Sequence, residues 1–115
     1  MHTVEDDRLD AVFAALADPT RRAILARLAE GEASVAELAR PFAMSQPAVS
    51  KHLKVLEGAG LVSRTQVATT RLSHLEAQPL AEADAWMRRY KRFWNEGFDK
   101  LDAALAAYRD QEDET

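Results

Sequence analysis

Between Met44 and Val62 a helical wheel puts Pro47, Ser50, Lys51, Lys54 and Gly58 on one side, with Gln46 near its edge and Ser45 just ahead of the first turn. Short donors and acceptors come first, and two cations follow. Glutamine can pair bidentately with adenine, serine serves several bases, and proline offers an apolar surface to a thymine methyl. Lysines behind them suit phosphate oxygens, which fix register without reading sequence. This is chemistry for an element lying in a DNA major groove. An ordinary amphipathic surface helix has the same gross pattern, so the rest of the chain must decide.

Other chemistries fare worse. Ser50 and His52 are two residues apart, point to different faces of one helix, and lack a third orienting group, so a nucleophile–base pair has no support. There is no cysteine, and His2, His52 and His74 fall in three different elements. Disulfides, thiolate ligands and clustered imidazoles are thereby removed, and neither a metal nor another cofactor is expected. His74 reads as a partly exposed strand residue. The wheel puts His52 beside the buried stripe.

The elements that position this face follow from local signals. Ser45 is a good N-cap, and Pro47 is tolerated in the first turn, where its missing N–H has no intrahelical partner. Val49, Leu53, Leu56 and Ala59 or Gly60 form one apolar stripe. Upstream, Ser34-Val35-Ala36-Glu37 is a capping box opening a helix that turns Val35, Leu38 and Phe42 inward. Pro41 should end that helix near Arg40. Two short helices joined by a tight connection, the second polar outside, are the helix-turn-helix signature.

Before this pair, Leu9, Val12, Phe13 and Leu16 predict a first helix from about residue 5 to 17. Asp18-Pro19 starts a second, continuing through Ile24, Leu25 and Leu28 to Gly31. Arg21 and Arg22 lie in its first turn, against the helix dipole, and call for carboxylate partners such as Asp18. After Gly60, Leu61–Val67 and Thr70–Leu75 read as a two-stranded hairpin, with Arg64 and Arg71 flanking its tip within reach of a phosphate backbone. Its turn, Val67-Ala68-Thr69-Thr70, lacks the Gly or Asn that tight hairpins prefer.

Composition bounds the class. The chain has 115 residues, 47% hydrophobic and 30% charged, which suits one folded domain of residues 1–109 with an acidic, frayed tail at 110–115. Its runs of apolar residues are too short to span a bilayer, and the acidic start carries no apolar export segment, so a cytoplasmic location without membrane partners is expected. The net charge of −4 is unevenly spread: Arg40–Leu75 holds five cations and one anion, leaving −8 for the remainder. A polyanion footprint can hide inside such a chain.

The last third carries the strongest periodicity. Leu80, Ala83, Met87, Tyr90, Trp94, Phe98, Leu101, Leu105 and Tyr108 recur at steps of three and four, predicting an unbroken helix over about 80–109. It would extend about 40 Å, more than one small core can cover. Six of the eight aromatic residues lie here. Either the stripe is wholly core of one chain, or part of it meets a second copy; an aromatic stripe longer than its domain favours a homodimer burying Met87, Tyr90, Trp94, Phe98, Leu101 and Leu105, together with Leu9 and Phe13 of the first helix. The order α-α-α-α-β-β-α makes a mainly α fold with a small β-hairpin, a homodimeric winged helix-turn-helix with dimerisation helices at about 5–17 and 80–109.

Three ordered segments, Leu16-Ala17-Asp18-Pro19-Thr20-Arg21-Arg22-Ala23-Ile24-Leu25, then Met44 to Leu56, then Ala59-Gly60-Leu61-Val62, resemble the ArsR-type family of bacterial repressors over nearly the whole chain. The resemblance implies a homodimer built from the first and last helices, with residues 45–58 reading a double-stranded operator, His52 by its family position close to the DNA, and the 61–75 hairpin as the wing. It is nearest the subgroup with an aromatic-rich last helix. Metal-sensing members place a Cys-x-Cys-type motif where this chain has Val35 to Phe42, or Asp and His ligands on a last helix that here has no histidine. An inducer, if one acts, is not legible. The competing reading is a protein-interaction module, with the helix-turn-helix repurposed and the aromatic helix binding a partner.

Overall fold

A computed structural model describes residues 3–113. Helix α1 spans Val4–Leu16, α2 Pro19–Leu28, α3 Val35–Ala39 and α4 Gln46–Gly58. Strands β1 (Val62–Val67) and β2 (Thr70–Leu75) pair antiparallel from Val62↔Leu75 to Val67↔Thr70. Helix α5 (Gln78–Met87), a 3₁₀ turn over Arg88–Tyr90 and α6 (Lys91–Asp113) complete the order. This is the expected mainly helical architecture with one hairpin. The chain divides into two units at Ala83/Asp84.

Caps set the helix starts. Thr3 and Ser34 each form a reciprocal capping box, with Asp6 and Glu37. Asp18 accepts from the N–H of Thr20 and of Arg21, and Ser45 from that of Ala48. Each such bond satisfies a donor that the first helical turn leaves unpaired. At the end of α4, Gly60 takes a φ of +76°, its N–H reaching the Glu57 carbonyl while that of Leu61 reaches Leu56. That double closure, with glycine left-handed, ends the helix and aims the chain into β1. Helix α2 stops earlier than expected. It closes at Leu28, and Gly31 lies beyond the cap residue Ala29.

In the first unit α4 touches α1, α2, α3 and β1. Val49, Leu53 and Leu56 are wholly buried, in one cluster with Val12, Ile24, Leu28, Leu38 and Leu61. The wing is tied to this body by a two-way backbone bridge between Ala33 and Ser73 (3.2 and 2.8 Å), and Ser73 is itself buried. The two-residue turn puts Ala68 at a φ of +55°. An L-residue holds that conformation under strain, so the hairpin register, not the turn sequence, imposes it.

The second unit departs from the unbroken helix expected over 80–109. The 3₁₀ turn winds Arg88–Tyr90 more tightly, which advances the apolar stripe by about 60° between Met87 and Trp94 relative to a continuous α-helix. The tail also differs. Helix α6 runs through Asp113, so 110–113 are helical where fraying was expected. Residues 114–115, like His2, lie outside the described residues. Trp86, Met87, Tyr90, Phe93, Trp94, Phe98, Leu101, Leu105 and Tyr108 are all exposed within the chain.

Burial along α4 predicts a sharp contrast between near neighbours. Leu53→Ala should cost about 2–5 kcal/mol, whereas Val55→Ala, at a position 44% exposed, should change stability by no more than about 0.5 kcal/mol. Urea unfolding at neutral pH measures both; similar costs for the two would contradict this packing.

Candidate nucleic-acid interface

The buried stripe of α4 fixes what its other side presents. Ser45, Gln46, Pro47, Lys51 and Lys54 are exposed and Ser50 half-buried, so the structure brings these residues together as the sequence suggests. Ser45 Oγ accepts the capping bond from Ala48 N at 3.3 Å, which leaves its O–H free to donate. Val55, not singled out from the sequence, joins the face as an exposed apolar residue. Its offset from the Val49–Leu53–Leu56 stripe was the available signal. Arg40 is a second addition, exposed at the α3–α4 turn with no partner among the described residues.

His52 is half-buried and turned toward α2, where its Nδ1 stands 3.4 Å from Arg21 Nη1. Arg21 and Arg22 correct a sequence expectation. Instead of relying on carboxylates, Arg21 donates from Nε to the Ala15 carbonyl (2.7 Å) and from Nη2 to that of Ala14 (3.0 Å). Arg22 donates to the Leu16 carbonyl at 2.8 Å, and Asp18 approaches Arg21 only at 3.9 Å. The last turn of α1 has no basic residue of its own. Its terminal carbonyls and negative dipole end therefore recruit both guanidiniums from α2. Asp18 is held below the usual carboxylate range, chiefly by the Arg21 N–H; partial desolvation opposes this, while the Thr20 N–H and the nearby His52 and Arg21 reinforce it.

On the wing the two predicted cations part company. Cross-strand partners share a face, so Val62, Arg64, Gln66, Arg71, Ser73 and Leu75 lie on one side of the ribbon. Arg64 does not flank the tip as expected. It sits opposite Ser73 near the base, 12% exposed, with Nε 2.7 Å from Glu57 Oε1 on α4. Arg71 is exposed beside the turn, opposite Gln66. The only anion of the basic centre thus neutralises its most buried cation, and Arg40, Lys51, Lys54 and Arg71 have no ion-pair partner among the described residues. On the other face His74 bridges Thr65 (2.7 Å) and Glu32 (3.2 Å).

Among the described residues no group of three or more His, Asp and Glu lies together as a metal site, and no helix is long and apolar enough to cross a membrane. The profile described as a helix-turn-helix domain matches residues 16–65. Over 85 residues the chain is 48% identical to the HTH-type transcriptional regulator Rv2034 of Mycobacterium tuberculosis, covering 74% of this chain and 77% of that one. A crystal structure of an ArsR family transcriptional regulator, 38% identical, superposes with a TM-score of 0.72 over 83% of this chain and 97% of the other. The chain belongs to the ArsR family.

Further similar proteins agree with this. The transcriptional repressor SdpR of Bacillus subtilis is 32% identical over 71% of this chain and 91% of its own. The homodimeric winged helix-turn-helix domain of a possible ArsR-family regulator from Mycobacterium bovis is 27% identical, with a TM-score of 0.61 over 76% and 82% of the two chains. As a member of this family the protein is a DNA-binding transcriptional regulator. The family is one of regulators, not of enzymes.

The charges at this site set two expected outcomes. Glu57→Gln would leave Arg64 nearly buried and uncompensated, at a cost of about 1–3 kcal/mol after allowance for the partial exposure of Glu57; adding Arg64→Met should recover part of it in urea unfolding. The lowered pKa of Asp18 means that its stabilising contribution is complete above the ordinary carboxylate range and is lost as pH falls through the folded value. Asp18→Asn, which keeps a capping oxygen, should therefore flatten the acid limb of the stability–pH profile. An unchanged acid limb would contradict the assignment.

Proposed function

We propose that the protein is a repressor that binds a pseudo-palindromic operator as a homodimer, with α4 in the major groove and the β1–β2 wing on the flanking backbone. The carrying observation is the complete burial of Val49, Leu53 and Leu56, which leaves Gln46, Pro47, Ser50, Lys51 and Lys54 directed outward from the same helix. Ser45, Gln46, Pro47 and Ser50 contact bases, and Lys51, Lys54 and Arg71 contact phosphates. His52 lies at the edge of this set. Arg64 holds the wing base to α4 instead of reaching DNA.

Pairing is supported by the exposed stripe. Phe93 and Phe98 are each 60% exposed and Leu101 53%, an apolar surface too large to leave in water. In the proposed homodimer a second copy covers Met87, Tyr90, Trp94, Phe98, Leu101 and Leu105, with Leu9 and Phe13 of α1 contributing. The M. bovis relative is described as homodimeric, which favours the same assembly here. The repressor name of SdpR supports the sign of regulation.

Mobility-shift titrations across salt concentrations test the phosphate contacts. Lys51→Ala or Lys54→Ala should each lower the slope of log affinity against log salt by about one for every phosphate left unneutralised, hence about two per dimer. An unchanged slope for both would remove the phosphate assignment and favour a protein-interaction role. Static light scattering at micromolar concentration tests the pairing. The protein should have twice its chain mass, and Phe98→Lys, at an exposed position, should shift it to one chain without unfolding it. A wild-type monomer would contradict the dimer.

A further inference from the structure

Arg21 stands between the end of α1 and the middle of α4. Its bonds to the Ala15 carbonyl (2.7 Å) and the Ala14 carbonyl (3.0 Å) fix the plane of the guanidinium, whose N–H groups form a rigid fork. In that plane Nη1 meets His52 Nδ1 at 3.4 Å, with Asp18 Oδ2 at 3.9 Å on the same nitrogen. A guanidinium has donors only. The ring nitrogen facing it must therefore offer a lone pair, and a neutral imidazole with a lone pair on Nδ1 carries its proton on Nε2. A doubly protonated ring would set N–H against N–H at this contact. Nε2 itself has no hydrogen-bond partner among the described residues.

We propose that Arg21 is a positioning residue that holds His52 in the Nε2–H form, so that the recognition helix presents there an uncharged donor for an acceptor atom on the bound duplex. This rests on the reading of α4 as the recognition helix, and it adds a chemical distinction within that helix. Lys51 and Lys54 act as charges, whereas His52 acts as a hydrogen bond. The same guanidinium caps α1, so the geometry of the first helix is carried directly to the donor at position 52.

The first test needs no DNA. Nitrogen-15 NMR of the imidazole rings in the full chain at neutral pH should show His52 with a protonated Nε2 and an unprotonated Nδ1. In Arg21→Lys, which keeps a charge but loses the fork, the two nitrogen shifts should move toward a mixture of tautomers while the helical circular dichroism is retained. Wild-type protein with its proton on Nδ1, or on both nitrogens, would overturn the proposal whatever the variant does.

The second test uses a bound duplex. His52→Ala should weaken binding about tenfold, as for loss of one hydrogen bond, with an unchanged salt slope, and His52→Gln, whose amide nitrogen can donate in place of Nε2, should restore most of the loss. A loss that is uniform across operator variants identifies a phosphate acceptor; a loss confined to one base pair identifies a base. A lowered salt slope, or no loss in His52→Ala, would overturn the donor role. Failure of the underlying reading has a different signature, because it leaves the slope of Lys51→Ala unchanged and does not alter the tautomer of the free protein.

Discussion

The rotational setting of α4 depends on three side chains. Val49, Leu53 and Leu56 have no exposed surface, and burying each is worth about 1.5–3 kcal/mol. Together they approach the net stability of a typical small domain. A turn of α4 by one residue, about 100°, would carry part of this stripe into water and bring Lys54 or Ser50 into the core. The helix therefore has one setting, and the face it shows outward is a consequence of the face it hides. Each of α1, α2, α3 and β1 touches α4. The wing base is fixed to the same helix through Glu57 and Arg64.

Much of this was readable in the sequence because the signals are local. Caps at Ser34 and Ser45, the proline in the first turn of α4, the break at Pro41 and the period of the apolar residues all act within a few residues. What escaped depends on contacts between elements. The carbonyls at the end of α1 are satisfied by Arg21 and Arg22 of the next helix, a pairing that wheels drawn one helix at a time do not reveal. Arg64 reads as a free wing cation until the hairpin register places it at the base, against Glu57. The 3₁₀ turn at Arg88–Tyr90 contains no glycine or proline. No residue type announces it.

Charge is arranged as economically as apolar surface. A net charge of −4 coexists with a basic centre, and within that centre the single carboxylate cancels the cation that faces inward. The remaining cations are exposed and close in sequence to the short polar side chains of α4. The aromatic stripe of the second unit is exposed in a single chain, and the proposed pairing would cover it with a second copy.

In the proposed homodimer two copies of α4 read one duplex. Selection of bound sequences from a random duplex library by the full chain examines this without assuming an operator. Enrichment of an inverted repeat, with half-sites about 34 Å apart along the helix axis, is the predicted result. Enrichment of a single asymmetric site, or no enrichment at all, would contradict it.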